Sequence, residues 1–340
     1  MKNCLLLLLI CLFPWTAWAT EAPAPVHSDP VQEGLLKKSL RFAEDARDLL
    51  SDQVVSIADY VDAFIGTERA VDEINGSHFR LRHANTLYKD GSTAHVFSSL
   101  FKLDLPRTNR RLSLVIESDN DRNAVAGSES STAPLANNAA QPETEQNTGI
   151  TSAIQYIMRV NKDWHVRANT GLRFRDNEFD PMAKLRIRRL MRGEIWNFRI
   201  TETLFWYRTI GAGETTRFDL ERRLSPKFFF RTTNQSTWHK DSQVFDLSQT
   251  FTLYHDLGSR QLLSYSSGAY GVDYPSTHIT AYTVGLNFRQ RIHKDWLYMD
   301  IAPLALFPVA NNFELSPSIT VSLEMIVGNG KRKKGKKAAK

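Results

Sequence analysis

The chain has 340 residues, of which 42% are hydrophobic and 24% are charged, so it holds enough apolar side chains for a packed structure. This composition excludes an intrinsically disordered chain and a collagen-like repeat, and no apolar run after the N-terminus reaches the roughly 18–20 residues of a membrane-spanning helix. The formal net charge is +6, but seven basic residues lie within 331–340. The rest of the chain is therefore close to neutral, and nucleic acid is not an expected partner.

Residues 1–19 have the pattern of a secretory signal peptide. Lys2 supplies the positive start, a run of apolar residues follows, and an Ala-Trp-Ala cleavage site ends at Ala19. The apolar run is too short to anchor the chain in a membrane. Both cysteines, Cys4 and Cys11, lie in this segment, so we expect a mature chain without disulfides, a cysteine nucleophile or metal thiolates.

Residues 20–75 are predicted to form a helical extension that lies in the periplasm. A Pro- and Ala-rich lead precedes Asp29, which is suited to cap a helix with Pro30 at its first position. Between 30 and 65, apolar residues recur at helical spacing, as in one or two amphipathic helices. We expect this apolar stripe to pack on the rest of the protein; a surface for a periplasmic partner or for the membrane is the alternative.

From residue 76 onward the hydrophobic period changes from 3.6 to 2 residues. The clearest segment is 164–175, in which residues suited to an apolar face, starting at Trp164, alternate with mostly polar ones, ending at Arg175. The segments 282–289 and 313–325 alternate in the same way. Such alternation places one face of a β-strand against an apolar medium and the other against a polar one.

Continued along the chain, this pattern predicts fourteen strands, many of them as long as the roughly 9–11 residues with which a tilted strand crosses a bilayer. The predicted strands are 78–88, 93–105, 110–117, 150–160, 164–175, 182–190, 194–207, 215–224, 227–238, 243–254, 261–270, 278–290, 296–307 and 313–327. Residues 118–148, rich in Ser, Asn, Ala, Glu and Pro, cannot form a core and are predicted to be a surface loop.

Three features favour a membrane barrel over a soluble β-domain, whose strands would also alternate. The polar face carries many charges whereas the apolar face carries few, and aromatic residues such as Trp164, Trp206 and Trp296 lie at strand ends, as in interfacial girdles. An even number of strands also brings both ends of the barrel to one side of the membrane. With the N-terminal extension in the periplasm, the loop 118–148 would then lie outside the cell.

On this pattern the chain resembles the bacterial outer-membrane β-barrel proteins over residues 76–328. The resemblance implies an all-β fold, an antiparallel transmembrane barrel of twelve to fourteen strands in the cell outer membrane. It also implies insertion by the barrel assembly machinery and contact with outer-membrane lipids, including lipopolysaccharide. No functional residue is carried over, because the resemblance depends on a pattern and not on a motif.

Two features depart from this class of protein. A basic tail, 329–340, follows the last predicted strand, where such barrels often end in an aromatic residue. The segments 196–207 and 227–238 do not alternate cleanly, and Glu202 would face lipid unless a β-bulge shifts the register. Twelve strands are therefore the alternative to fourteen.

The predicted polar face is rich in arginine, and inside a barrel these side chains would line a positively charged lumen. The candidate anion-facing residues are Arg167, Arg173, Arg175, Lys184, Arg186, Arg188, Arg199, Arg289 and Arg291, with Arg80, Arg82 and Arg231 on the same face. Carboxylates at facing or flanking positions are Glu117, Asp176, Glu178, Glu202, Asp219, Glu221, Asp300 and Glu324. The basic residues would favour anions by lowering the electrostatic barrier to a negative solute; alternatively, they pair with the carboxylates and fill the lumen.

These residues favour a non-enzymatic role, the passive movement of small anionic solutes through the barrel. The first alternative is a closed structural or envelope-maintenance barrel. It would engage a periplasmic partner through residues 30–65 or the basic tail, or lipopolysaccharide phosphates through the basic residues within 184–192.

The second alternative is an outer-membrane lipid hydrolase. It would need a histidine and a serine on adjacent strands near the outer rim, such as His239 or His278 with a nearby serine. The sequence contains no nucleophile elbow, no zinc-protease motif and no phosphate-binding loop. The acidic stretch 119–123 lacks the glycine and the glutamate of a calcium loop. We therefore expect neither a cofactor nor a metal.

Overall fold

The computed structural model describes residues 77–105, 112–120, 148–159, 163–175, 177–293 and 296–328. The predicted signal peptide, the helical extension 20–75, most of the loop 118–148 and the basic tail 329–340 lie outside the described residues. Within the described ranges, no helix is long and apolar enough to cross a membrane.

Fourteen β-strands account for most of these residues. They are β1 (His78–Tyr88), β2 (Thr93–Asp104), β3 (Leu112–Asn120), β4 (Thr148–Arg159), β5 (Trp164–Arg175), β6 (Glu178–Arg192), β7 (Asn197–Tyr207), β8 (Gly211–Arg223), β9 (Phe228–His239), β10 (Phe245–Gly258), β11 (Gln261–Val272), β12 (His278–His293), β13 (Leu297–Pro308) and β14 (Ser316–Gly328). Each strand pairs with its neighbours in the chain, and β1 pairs antiparallel with β14, so the sheet closes into a barrel. The prediction of a fourteen-stranded antiparallel barrel is confirmed, and the alternative of twelve strands is wrong. Closure pairs both edges of the sheet, which is the condition for a sheet within hydrocarbon.

The predicted alternation of faces is confirmed on β5. Arg173 points inward and is only 2% exposed, whereas its neighbours Leu172 and Phe174 are 47% and 40% exposed on the outer surface. Residues directly opposite each other in an antiparallel pair share a face of the sheet. Arg173 lies opposite Thr151 of β4 and Asp180 of β6. These two residues therefore face the lumen as well.

β7 and β9 cover the two segments whose sequence pattern is irregular. Both strands pair with their neighbours without a register shift, so no bulge moves Glu202 to the inside. Glu202 faces outward, where the hydroxyl of Thr216 donates a hydrogen bond to its Oε2 atom over 2.8 Å. The sequence pattern places Glu202 towards lipid unless a bulge shifts the register, and the unbroken pairing of β7 confirms this outward position.

β14 begins later than its sequence pattern predicts. The alternation predicts a strand from residue 313, but Asn312 and Phe313 have left-handed φ values of 51° and 59°. They follow the short 3-10 turn Val309–Asn311 that leads out of β13, and the strand begins only at Ser316. A left-handed backbone cannot continue a strand, so Phe313 belongs to the turn.

The two ends of the barrel differ in the side chains that fill them. We call the end where β1 begins and β14 ends the terminal end, and the end from which β3 leads into residues 121–147 the loop end. Most inward charged residues lie in the half of the barrel next to the terminal end. The loop half holds a buried cluster of Ala153, Met182, Phe205 and Tyr207. The charged chemistry of the lumen is therefore concentrated in the terminal half.

Candidate functional site in the barrel lumen

Four basic residues face the lumen next to one another on β5 and β6. They are Arg167, Lys184, Arg186 and Arg188, and we call them the cationic arc. Arg167 lies directly opposite Arg186, while Arg188 lies opposite His165. The described residues opposite Arg167 on β4 and opposite the other three on β7 are uncharged: Ile157, Thr201, Thr203 and Phe205. The arc thus brings like charges together across one strand pair.

Three arginines and two carboxylates form a buried group on β7, β8 and β9, which we call the β8 network. Glu221 accepts hydrogen bonds from Arg199 over 2.9 and 3.2 Å and from Nε of Arg231 over 2.9 Å. Asp219 accepts hydrogen bonds from Arg217 over 3.0–3.2 Å. The two carboxylates are 1% and 0% exposed, respectively, so these arginines replace the water that would otherwise solvate them.

A second buried group, the β13 network, consists of Arg289, Asp300 and Glu324. Nη1 of Arg289 donates to both oxygens of Asp300 over 2.8 and 3.0 Å and to Oε2 of Glu324 over 3.2 Å. Its guanidinium lies over the ring of Tyr298, 4.5 Å from the ring centroid. Arg82 of β1 lies directly opposite Glu324 on the other side. One arginine is therefore shared by two carboxylates that are themselves buried.

One further ion pair lies at the loop end. Arg173 donates to Oδ2 of Asp180 from Nε and Nη2, over 3.1 and 2.5 Å. The backbone amide and the hydroxyl of Thr209 donate to the same carboxylate over 3.0 and 2.7 Å. The guanidinium of Arg173 also lies over the ring of Tyr207, at 4.6 Å. This group ties β5 and β6 to the turn that follows β7.

The structure places the predicted anion-facing residues in several groups and not in a single ring. The inward residues from that prediction are Arg167, Arg173, Lys184, Arg186, Arg188, Arg199, Arg289 and Arg291. The side chain of Arg175 and the whole of Asp176 lie outside the described part of the chain. Arg291 reaches the rim of the terminal end, where it donates to the backbone carbonyl of Ser259.

The basic residues predicted to act together within 184–192 divide between two faces. Arg186 and Arg188 face the lumen, whereas Arg189 faces outward with its guanidinium 5.1 Å from the ring centroid of Trp164. Arg192 pairs with Asp163 at the terminal end. The alternation of β6 separates residues that are adjacent in the sequence.

Three buried charged residues were not predicted from the sequence. Lys102 and Arg217 are 4% and 5% exposed, and Asp180 is the buried partner of Arg173. Arg217 could have been found, because it precedes the predicted lumen residue Asp219 by two positions on one strand. Asp180 follows the turn between β5 and β6. The alternation of β5 does not continue through this turn, so the sequence does not show which face Asp180 occupies.

The outer surface of the barrel is apolar over most of its strands. Large, exposed, apolar side chains come from all sides of the barrel and include Phe97, Ile154, Leu204, Phe251, Val284 and Leu323. The Trp164–Arg189 pair matches the aromatic and basic residues that lie where a membrane meets water. A closed antiparallel barrel that is apolar outside and charged inside is the architecture with which bacterial proteins cross the outer membrane by strands. The described part of the chain has the architecture of a bacterial outer-membrane β-barrel.

Several solved outer-membrane barrels align with this chain. The outer membrane channel DcaP of Acinetobacter baumannii aligns over 74% of this chain and 96% of its own, with a TM-score of 0.42 and 8% identity. The CymD monoaromatic hydrocarbon channel aligns over 76% and 90%, with a TM-score of 0.48 and 8% identity. The KdgM porin, in complex with disordered oligogalacturonate, aligns over 72% and 98%, with a TM-score of 0.35 and 7% identity.

Sequence comparison adds no closer relationship. No protein-family model matches the chain, and no curated protein matches it. The solute or ligand of this outer-membrane β-barrel is therefore inferred from its own residues.

His239 and His278, the histidines considered for a lipid hydrolase, have other partners. Nε2 of His239 lies 3.5 Å from Oδ2 of Asp246, and Nδ1 of His278 lies 2.7 Å from the backbone oxygen of Ser276. Within the described ranges, neither imidazole has a serine hydroxyl as its hydrogen-bond partner. The described residues also contain no group of three or more His, Cys, Asp or Glu side chains that could hold a metal ion.

Two other histidines lie on the outer surface of β1 and β2. His95 hydrogen-bonds Asn85 directly across the strand pair, and the ring of His83 stacks on that of His95 with 6.2 Å between centroids. The outward positions next to His95 on its own strand are Thr93 and Phe97. A histidine–serine pair is therefore not formed along this strand.

Proposed function

We propose that this outer-membrane β-barrel is a passive pore that favours small anionic solutes. The observation that carries the proposal is the cationic arc. Like charges placed directly opposite each other weaken a strand pair, yet Arg167 faces Arg186 across β5 and β6. A cost of this kind is expected where the positive charge itself is needed, and basic side chains lining a pore lower the electrostatic barrier to anions.

The β8 and β13 networks differ from the cationic arc in how their charge is balanced. In the β8 and β13 networks, arginines are held by carboxylates and by aromatic rings, so their charge is largely compensated within the wall. In the cationic arc, by contrast, four basic side chains lie next to one another on β5 and β6. We infer that the networks stabilise the wall of the lumen, whereas the arc supplies the charge that an anion meets.

The proposal predicts the effect of neutralising the cationic arc. A channel reconstituted in a planar bilayer under a KCl gradient should give an anion-favouring reversal potential. The triple variant Arg167→Gln/Arg186→Gln/Arg188→Gln should lose most of that anion preference, because it removes positive charge from the lumen without adding bulk.

Arg189→Gln is the matched control for this experiment. It removes a neighbouring positive charge from the same strand, but from the outer surface, so its reversal potential should stay close to that of the unmodified chain. A cation-favouring reversal potential, or an anion preference that the triple variant leaves intact, would contradict the proposed role of the arc.

A closed structural barrel is the second candidate function. It is supported by the deep burial of the two networks and by the apolar cluster of Ala153, Met182, Phe205 and Tyr207 within the lumen. Such a barrel would act by holding a periplasmic partner or lipopolysaccharide, and it would stay silent in the bilayer experiment over a wide range of voltages.

A further inference from the structure

The outer surface of β7–β10 carries a polar patch where the rest of the barrel is mostly apolar. We define the polar patch by its outward residues Glu202, Glu214, Thr216, Thr232, Asn234, Ser236 and Gln249. Its members adjoin one another, since Thr216 lies opposite both Glu202 and Ser236, and Asn234 lies opposite Gln249. Glu202, Thr216 and Asn234 lie at or near the middle of their strands, and therefore at the depth of the hydrocarbon.

The polar patch satisfies only part of its own hydrogen-bonding capacity. Thr216 donates to Oε2 of Glu202, and Nε2 of Gln249 donates to the hydroxyl of Thr232 over 2.6 Å. The other carboxylate oxygen of Glu202, Oε1, is buried and has no hydrogen-bond partner in the described part of the chain. The amide of Asn234 is exposed on the same surface.

Hydrocarbon cannot provide the missing hydrogen bonds. A polar group that faces lipid without a partner costs free energy, and carboxylates within the membrane are rare and usually paired. A single polar residue could be tolerated, but seven adjoining ones on four strands form a surface. This surface is suited to a protein partner that brings hydrogen-bond donors and acceptors at the same depth.

The arrangement of donors and acceptors indicates what that partner is. The carboxylates Glu202 and Glu214 lie on β7 and β8, whereas the amides of Asn234 and Gln249 lie on β9 and β10. Two copies of the chain insert in the same orientation, so a two-fold axis that relates them runs along the membrane normal. With that axis between β8 and β9, the carboxylate side of each copy faces the amide side of the other.

We propose that the polar patch is the surface through which two copies of this chain associate side by side within the membrane. In the associated pair, the exposed carboxylate of Glu214 and the exposed amide of Asn234 would be covered by polar groups of the other copy. Phe218, Phe230 and Phe251 lie among or beside the polar residues on the same outer surface and would provide the apolar contact of the interface. This association is independent of whether the lumen conducts.

Disulfide cross-linking tests the proposal, because Cys4 and Cys11 are the only cysteines of the chain and both lie in the predicted signal peptide. Ser236→Cys places a thiol on β9, close to the proposed axis, in a chain without other thiols. In vesicles treated with an oxidant, this variant should form a covalent dimer on non-reducing gels.

Ser152→Cys is the matched control for the cross-linking. Ser152 is also outward and lies at a similar level, but it is on β4, away from the polar patch. This variant should remain monomeric. Equal cross-linking of the two variants, or none for Ser236→Cys, would overturn the proposal.

A second variant separates specific association from random collision. Asn234→Leu removes one amide donor from the patch, and the loss of one such polar contact should lower the association constant in vesicles by about three- to thirtyfold. Energy transfer between labelled copies, measured at increasing lipid-to-protein ratios, reports this constant. Asn85→Leu, an outward asparagine on β1, should leave it unchanged, and the different mobility of boiled and unboiled samples verifies that both variants fold. An association constant that Asn234→Leu does not lower would also overturn the proposal.

Discussion

Replacing Arg289 by leucine is expected to lower the free energy of unfolding of the barrel by about 3–5 kcal/mol, because removal of one member of a buried ion pair leaves the other uncompensated. In this barrel the substitution removes the arginine that two carboxylates share. Asp300 and Glu324 both accept hydrogen bonds from Nη1 of Arg289, and all three residues are buried. Unfolding by urea in phospholipid vesicles, followed by tryptophan fluorescence, measures the loss.

Two companion variants make this prediction specific to the β13 network. Arg260→Leu removes an exposed arginine from the turn between β10 and β11 and should change the free energy of unfolding only slightly. The triple replacement of Arg289, Asp300 and Glu324 by leucine should recover much of the lost stability, because no uncompensated carboxylate remains. If Arg289→Leu is as stable as Arg260→Leu, the network is not a structural element of the wall.

Glu221→Gln is expected to change stability and selectivity at once. Glu221 binds both Arg199 and Arg231 and is 1% exposed. Its neutralisation leaves two buried guanidiniums without their carboxylate, which should lower the free energy of unfolding by about 3–5 kcal/mol. The same change adds net positive charge to the lumen, so the anion preference of a conducting barrel should increase. Urea unfolding and reversal potentials measure the two effects separately.

Glu194→Gln is the control for Glu221→Gln. Glu194 is exposed in the turn between β6 and β7, so its neutralisation should alter neither the stability nor the reversal potential appreciably. Should Glu221→Gln behave in the same way, the β8 network would contribute neither to the stability of the barrel nor to the charge balance of the lumen.

The strand count could be predicted because alternation is a local property of the chain. On β5, the inward and outward residues follow from the sequence alone, and the predicted segment coincides with the observed strand Trp164–Arg175. The inward position of most arginines follows in the same way, since every second residue shares a face.

Alternation gave little information on β8, where both faces are polar near the loop end. Glu214 and Thr216 face outward while Thr215 and Arg217 face inward, so the sequence there shows no hydrophobic contrast. Arg217 was not predicted as a lumen residue, and for Glu202 of the neighbouring strand the sequence left open whether a bulge turns it inward. The irregular stretches of the sequence thus mark the polar patch and not a change of register.

The partners of the lumen arginines could not be predicted from the sequence. Arg289, Asp300 and Glu324 come from three strands, and their meeting depends on the register of β12, β13 and β14. Turn geometry and bulges set that register, as at the shift between Arg291 and His293 of β12. A sequence pattern fixes the face on which a charge lies, but the level of that charge in the lumen depends on these contacts.

The alternation of side chains between lipid and lumen is the central feature of this barrel, and spin labels along β5 test it directly. Single cysteines at each position from Val166 to Phe174 would carry the label in vesicles, except at Gly171, where an added Cβ would clash with the backbone oxygen of Ser152. Collision rates with oxygen and with a water-soluble nickel complex would be measured. Labels at Val166, Ala168, Thr170, Leu172 and Phe174 should collide readily with oxygen dissolved in hydrocarbon, whereas those at the intervening positions should not. Frequent collision of the outward labels with the nickel complex, or accessibility without a period of two residues, would contradict the membrane barrel.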